Sequence, residues 1–326
     1  MSARHWDWDV RPSMSAPEVI AEITSADVRL IVDPVWGYRR VEPLPSADEL
    51  DRFYESRYHD LIAQGGRAPE LARLVTTGPD ADRERTWLEA TVYRDVVDAL
   101  EPAANDGLPR RSLEIGCGTG ELLRVLMASG WEAVGIEPAT EIADVGRAAG
   151  LQIEAVTAAE FLAAWRVDGS RPFSALMLMN VLEHVPEPGP MVAALLEVLA
   201  PGGLVIIRVP NDFNPLQAVA RDRLGHDPWW ITVPDHLNYF DHASAAGLLE
   251  RVGLEVVDQW GDYPMELFLL MGEDYVADRA LGRELHERRR RLDLALEPAL
   301  RRQIGRAWAA TGLGRNTIVV ARHPGS

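Results

Sequence analysis

Residues 113–121 read Leu113-Glu-Ile-Gly-Cys-Gly-Thr-Gly-Glu121, an apolar run that enters three closely spaced glycines and leaves as a helix. Gly116, Gly118 and Gly120 carry no Cβ, so the backbone there can bend sharply and a ligand can approach its N–H groups. Working outward, Ser112 to Ile115 is a strand and Glu121 to Ala128 a helix. Glu132 to Ile136 is a second strand backed by a helix from Glu141 to Ala149, and Gln152 to Val156 is a short third. Phe173 to Met179 is apolar throughout, as a strand covered on both faces must be. Pro190 to Leu199 is helical and stops at the turn Pro201-Gly202-Gly203. Leu204 to Val209, Leu254 to Trp260 and Asn316 to Arg322 complete the strands. Strands separated by helices imply right-handed crossovers and an α/β fold: a doubly wound, Rossmann-like, mostly parallel seven-stranded sheet with helices on both faces.

Two regions depart from the alternation. Residues 1–85, with a Pro-rich joint at 41–45 and an aromatic helix from Ala47 to Tyr58, read as an N-terminal cap on the substrate side. Residues 86–326 read as the main domain, entered by a helix over Glu84 to Leu100. Within it, 211–240 reads as a lid insert holding Trp229, Trp230 and Tyr239, because irregular stretches of that length are usually functional. A helical insert occupies 263–312.

Position and spacing point to a nucleoside. The second strand ends at Glu137, 21 residues after Gly116, where a carboxylate can accept both hydroxyls of a ribose. A dinucleotide loop places its third glycine three residues after the second; here it follows after two. Glu114, just before the loop, suits the ammonium of an amino acid and would repel a pyrophosphate. Both departures favour S-adenosylmethionine over NAD.

The chain resembles the class I S-adenosylmethionine-dependent methyltransferases, in particular the small-molecule group around the ubiquinone-biosynthesis O-methyltransferases. The matching segments are LEIGCGTGELL, GIEPA at 135–139, NVLEHVPEP at 180–188, LAPGGLVIIRVPN at 199–211 and DHLNYFDHASAAGLLERVGLEVV at 235–257. The resemblance implies that Gly116, Gly118 and Gly120 cradle the donor, with Glu114 near its amino group and Glu137 on its ribose. It places Ala158, Ala159 and Glu160 beside the adenine and Asn180 beside the methionine part. Tyr58 resembles cap tyrosines that close over the cofactor. Capping and loop hydrogen bonds are alternative roles for Glu160 and Asn180, and plain packing for Tyr58.

An acceptor hydroxyl benefits from a base of near-neutral pKa, which histidine supplies. His184 follows the fourth strand directly, and His236 follows the aromatic insert; each is a candidate base or substrate contact, with a structural role as the alternative. Related quinone enzymes carry a further carboxylate before a Glu-His pair and have been considered metal-binding there. Asn180 stands where that carboxylate is expected, and no metal is expected here. Trp229 and Trp230 either wall a planar acceptor or pack the lid.

Composition limits the partners. The chain has 326 residues and a formal net charge of −17, which disfavours nucleic acid as substrate. All 33 basic residues are Arg, so lysine chemistry is absent, and the single Cys117 rules out an internal disulfide and a thiolate zinc site. The run Arg288-Arg289-Arg290-Arg291 alternates with acids and reads as a solvated or self-paired helix face. No apolar stretch spans a bilayer and no secretion signal opens the sequence, so no membrane partner and a cytoplasmic location are expected. The leading reading is methyl transfer to a small-molecule acceptor, with oxygen as the favoured atom. Carbon or nitrogen acceptors, a dehydrogenase, and a non-catalytic donor-binding partner protein are the alternatives.

Overall fold

The computed structural model describes residues 19–22, 29–46, 48–50, 78–105, 107–169 and 171–325. The helix expected from Ala47 to Tyr58 falls outside the described residues beyond Leu50, so Tyr58 is not placed.

The main sheet has seven strands. β4 (Arg111–Ile115), β5 (Glu132–Ile136), β6 (Gln152–Glu154), β7 (Phe173–Met179) and β8 (Leu199–Pro210) run parallel. β11 (Asn316–Arg322) is antiparallel to both β8 and β10 (Glu255–Gly261). The spatial order is β10-β11-β8-β7-β4-β5-β6, so the chain starts in the middle and winds to each side. Alternate residues of each strand feed two separate cores. Leu176, Leu178, Val205, Ile207 and Val319 face one helix layer, while Ala175, Met177, Leu204, Ile206 and Val320 face the other. This double burial explains the unbroken apolar runs of β7 and β8.

Helices α1 (Pro79–Ala90) and α2 (Val92–Asn105) replace the single lead-in helix expected over Glu84 to Leu100. The break falls at Thr91, whose hydroxyl donates back to the Trp87 carbonyl and whose β-branch suits the non-helical φ of −124°. After β4 come α3 (Glu121–Ala128), α4 (Thr140–Ala148), α5 (Ala158–Asp168) and α6 (Pro188–Leu195), the last ending in a 3-10 turn over Leu196–Val198. Pro201-Gly202-Gly203 turns as expected but inside β8. Phe173 pairs with Leu199 and Ala175 with Leu204, so the extra residues loop out, with Gly202 at φ 80°.

The 211–240 segment, read from the sequence as a lid, is more ordered than its composition implies. Asn214 caps α7 (Pro215–Leu224) by accepting from Leu216 and Gln217 N–H groups, and Gly225 ends it in the left-handed conformation. The lid then supplies β9 (Asn238–Tyr239), which pairs with β3 (Arg39–Glu42). Together with β1 (Val19–Glu22) and β2 (Arg29–Val32), it forms a four-stranded sheet, β1-β2-β3-β9. Leu30, Val41, Leu237 and Tyr239 form its core, with Phe213, Ile231 and Val233 against them. After β9 follows α8 (His242–Arg251).

The last helices are α9 (Glu266–Leu270), α10 (Arg279–Ala295) and α11 (Pro298–Ala310). The arginine run lies on α10, and only part of it is solvated. Arg288 meets Glu273 and Glu284 at the surface, whereas Arg289 and Arg290 are buried on Asp262 (2.8 Å) and Glu84 (2.6 Å). The Arg289 guanidinium also lies 5.0 Å above Trp87. Asp262 accepts from the backbone and side chain of Asn316 as well, at 2.7 Å each. Burial works to raise its pKa, but Arg289, Arg208 and the Asn316 bonds outweigh it and hold the carboxyl below its usual range. Asp262→Ala is therefore expected to lower unfolding stability by about 3–5 kcal/mol, because Arg289 would be left buried without its nearest partner. Denaturant unfolding checks it. Because the folded-state pKa is depressed, the wild-type advantage is present above the ordinary Asp pKa and shrinks as pH falls through the folded value.

Candidate active site

The functional side chains collect at the carboxyl ends of the parallel strands. The glycine loop links β4 to α3. Gly116 (φ 65°) and Gly120 (φ 81°) lie in the left-handed region, and a Cβ would sit 2.8 Å from Val181 Cγ2 at the first and 2.5 Å from Leu151 Cδ1 at the second. Both are conformationally and sterically committed to glycine. Apart from its chain neighbours, no described residue comes within 4 Å of a Cβ position at Gly118, and its N–H donates to Glu137 Oε2 at 3.1 Å.

Glu137 leaves the end of β5 and also accepts from Ala139 N–H at 3.0 Å, so its carboxylate is fixed against the loop. Burial raises its pKa, while these two backbone bonds pull it back. Glu114, inside β4, is 4% exposed and its Oε2 has no hydrogen-bond partner among the described residues. Burial first, and then the Glu137 charge, push its carboxyl well above the usual range. A buried acceptor this poorly satisfied is costly unless a donor arrives, and a ligand ammonium is such a donor. The loop, Glu114 and Glu137 thus fit the amino-acid and ribose parts of S-adenosylmethionine.

Asn180 ends β7 at φ 58°, one of two described non-glycine residues with positive φ; the other is Phe213 at 59°. Such strain concentrates at functional positions. The Asn180 side chain accepts from Arg208 and donates to Glu183 Oε1 at 2.9 Å. Glu160 has a local structural task. Its carboxylate accepts from the backbone and hydroxyl of Thr157 at 2.9 and 3.0 Å, completing the capping box at the start of α5. Ala159 sits half-buried in the same first turn, after β6.

His184 and His236 come together, with ring centroids 5.0 Å apart and planes at 81°. His184 Nδ1 lies 2.7 Å from the Asp235 carbonyl oxygen. A carbonyl only accepts, so the neutral ring carries its proton on Nδ1 and its lone pair on Nε2. Glu183 Oε1 is 3.9 Å from that Nε2. Burial raises the Glu183 pKa, partly countered by His184, Asn180 and Arg208. Ligand atoms of Glu183, His184 and His236 lie within 4.8 Å of one another, so this trio could also hold a metal ion. Trp230 is buried edge-on against Phe213 at 5.7 Å, Trp229 meets Trp230 at 5.0 Å, and Phe213 in turn meets Tyr239 of β9 at 6.1 Å.

Asp212, one residue past the Asn211 bridge that follows β8, was not singled out in the sequence. The rule that flagged Glu137 and His184, a polar side chain directly beyond a parallel strand, applies to it equally. Glu266 on α9 carries no such signal, because only the tertiary fold brings it near.

A central-start parallel sheet with an antiparallel β11, a glycine bend after the first parallel strand and a carboxylate closing the second define a doubly wound nucleoside-binding protein. Residues 83–259, more than half of the chain, match the model of the methyltransferase domain family. The chain belongs to this family and is a class I S-adenosylmethionine-dependent methyltransferase. This sets aside the dehydrogenase reading. Among curated relatives, the ubiquinone biosynthesis O-methyltransferase of Xylella fastidiosa is 29% identical over 48% of this chain and 65% of its own length. That of Burkholderia lata is 34% identical over 46% and 66%. The match thus spans less than two thirds of these relatives. A methyltransferase structure from Archaeoglobus fulgidus covers 73% of this chain and 94% of its own, at 16% identity and a TM-score of 0.49. Among the described residues, no helix is long and apolar enough to cross a membrane.

Proposed function

We propose that the protein transfers the methyl group of S-adenosylmethionine to an oxygen of a small specialised metabolite. The observation that supports the oxygen assignment is the His184 ring, held in one tautomer by the Asp235 carbonyl 2.7 Å away and adjacent in sequence to Glu183, which accepts from Asn180 at the end of β7. When bound, the donor supplies an electrophilic methyl on a sulfonium. Glu114 accepts from the amino group, the loop backbone flanks the chain, and Glu137 accepts from the ribose hydroxyls. Nε2 of His184 takes the proton of the acceptor hydroxyl. The imidazolium so formed is stabilised by Glu183 at 3.9 Å and the Asp235 carboxylate at 3.7 Å. His236 packs edge-on against that ring and limits its rotation. Most of the remaining acceleration comes from holding the two reactants in line.

The test is incubation with methyl-labelled donor and a small-molecule extract of the source cell. S-adenosylhomocysteine and a labelled methyl ether or ester are expected. Label on carbon or nitrogen would overturn the oxygen assignment, and no transfer would overturn the reading itself.

The raised Glu114 pKa adds a pH prediction. Between the ordinary Glu pKa and the raised one, the free protein holds this proton, and an incoming ammonium expels it. Binding of S-adenosylhomocysteine is therefore expected to release protons, and affinity to climb with pH across that window. Calorimetry in buffers of different ionisation enthalpy reads the release directly. Glu114→Gln should remove the Glu114 share.

A further inference from the structure

Beyond β8 the acceptor side of the site holds a second set of buried carboxylates. Glu183, Asp212 and Glu266 are 1%, 5% and 3% exposed, and each has one oxygen, Oε2, Oδ2 and Oε2 respectively, without a hydrogen-bond partner among the described residues. Asn211 adds a fourth acceptor of the same kind. Its Nδ2 donates to the Gly312 and Gly314 carbonyls, leaving the amide oxygen buried and unpartnered. The four belong to one knot of chain. Leu237 and Asn238 N–H groups donate to the Glu183 carbonyl, and three residues on, the Phe240 carbonyl accepts from Asp212 N–H. Asn214 Nδ2 joins the Asn211 carbonyl to Glu266 Oε1.

Arg39 and Arg315 pull on Asp212, and Arg315 on Glu266, without a close ion pair to either carboxylate among the described residues. Among the same residues, the ion contact of Glu183 is with His184 at 3.9 Å. Arg39 pairs with Asp241 at 2.9 Å and stacks on Phe213 at 4.7 Å, and its buried Nε has no hydrogen-bond partner among the described residues. Burial, with Glu183 and Glu266 as neighbours, raises the Asp212 pKa well above the usual range, against the pull of Arg39 and Arg315. Fixed acceptors buried without donors are expensive to the free fold, and a ligand that donates in several directions while carrying positive charge relieves that cost. A bare metal ion fits poorly. Its ligands must converge to about 2.0–2.6 Å from one centre. Among the described residues, the trio closing within 4.8 Å is Glu183, His184 and His236, without Asp212 or Glu266. The wider frame suits an organic cation.

We propose that Asp212 and Glu266, bordered by Glu183 and the Asn211 amide oxygen, seat a protonated amine of the methyl acceptor. The acceptor is then an amine-bearing metabolite anchored by its ammonium while another atom faces His184. This rests on the methyl-transfer reading above for its connection to catalysis, though not for the binding itself. It makes Asp212 and Glu266 specificity-determining residues.

The experiment uses the full chain loaded with S-adenosylhomocysteine and reads thermal stability and calorimetric affinity. Probes are tyramine and n-butylamine, each against a neutral counterpart, 4-ethylphenol and n-butanol. The amines are expected to stabilise the protein and the neutral probes not to. Asp212→Asn and Glu266→Gln should each weaken amine binding about tenfold or more, the scale of a lost charge-assisted bond. Asp212→Asn should also raise the melting temperature of the amine-free protein, since it removes a buried unpaired carboxyl, whereas a purely structural Asp212 would lower it. Equal response to neutral probes, no response to either amine, or full amine binding in both variants would each overturn the proposal. Failure of the wild type to bind S-adenosylhomocysteine would instead strike the methyl-transfer reading, and amine binding could still be scored without it.

Discussion

Alanine at His184 is expected to lower turnover by about 10²–10⁴-fold, the usual worth of a positioned general base, while donor affinity stays as it was. The separation follows from geometry. His184 Nδ1 is anchored on the Asp235 carbonyl, and the nearest carboxylate to Nε2 is Glu183, so the ring belongs to the acceptor half of the site. The proposed donor contacts, Glu114 and Glu137, belong to β4 and the end of β5 instead. Steady-state rates and S-adenosylhomocysteine calorimetry on the same variant check both halves of the statement. A near-normal rate would return His184 to a structural role. His236→Ala is the companion measurement, because a larger loss there would make His236 the base.

Glu137→Ala is expected to weaken binding of S-adenosylmethionine and S-adenosylhomocysteine by about 1.5–3 kcal/mol, the range for hydrogen bonds to a charged group. Two losses combine in that number. The ribose hydroxyls would lose their acceptor, and Gly118 and Ala139 N–H groups would lose the carboxylate that now holds the loop in place at 3.1 and 3.0 Å. Glu137→Gln keeps one acceptor oxygen and should fall between the two. Unchanged affinity in calorimetry would remove Glu137 from the donor site.

Much of the site could be read before any coordinates because its residues are tied to strand ends. Gly116, Glu114 and Glu137 are each within a few positions of a parallel strand, where period and spacing already say which edge they occupy. Glu160 shows the limit of that reasoning. Its place after β6 allows an adenine contact, and Thr157 three residues earlier closes a capping box with it, so spacing alone does not separate the two roles. The lid was harder still. Asn214-Pro215 and Gly225 are ordinary start and stop signals for α7, but the aromatic, proline-rich surroundings hid them.

The linear order of apolar runs, glycines and terminal carboxylates determined by itself the winding of the sheet, the donor loop and the class of nucleoside it suits. These depend on contacts between near neighbours and on the single rule that parallel strands share one functional edge. Only the tertiary structure decided that β9 of the lid completes the N-terminal sheet, that Arg289 and Arg290 are buried, that the His184 and His236 rings meet, and that Glu266 approaches Asp212. Each of those joins residues about 30 to 200 positions apart through packing and charge compensation, which no local period encodes.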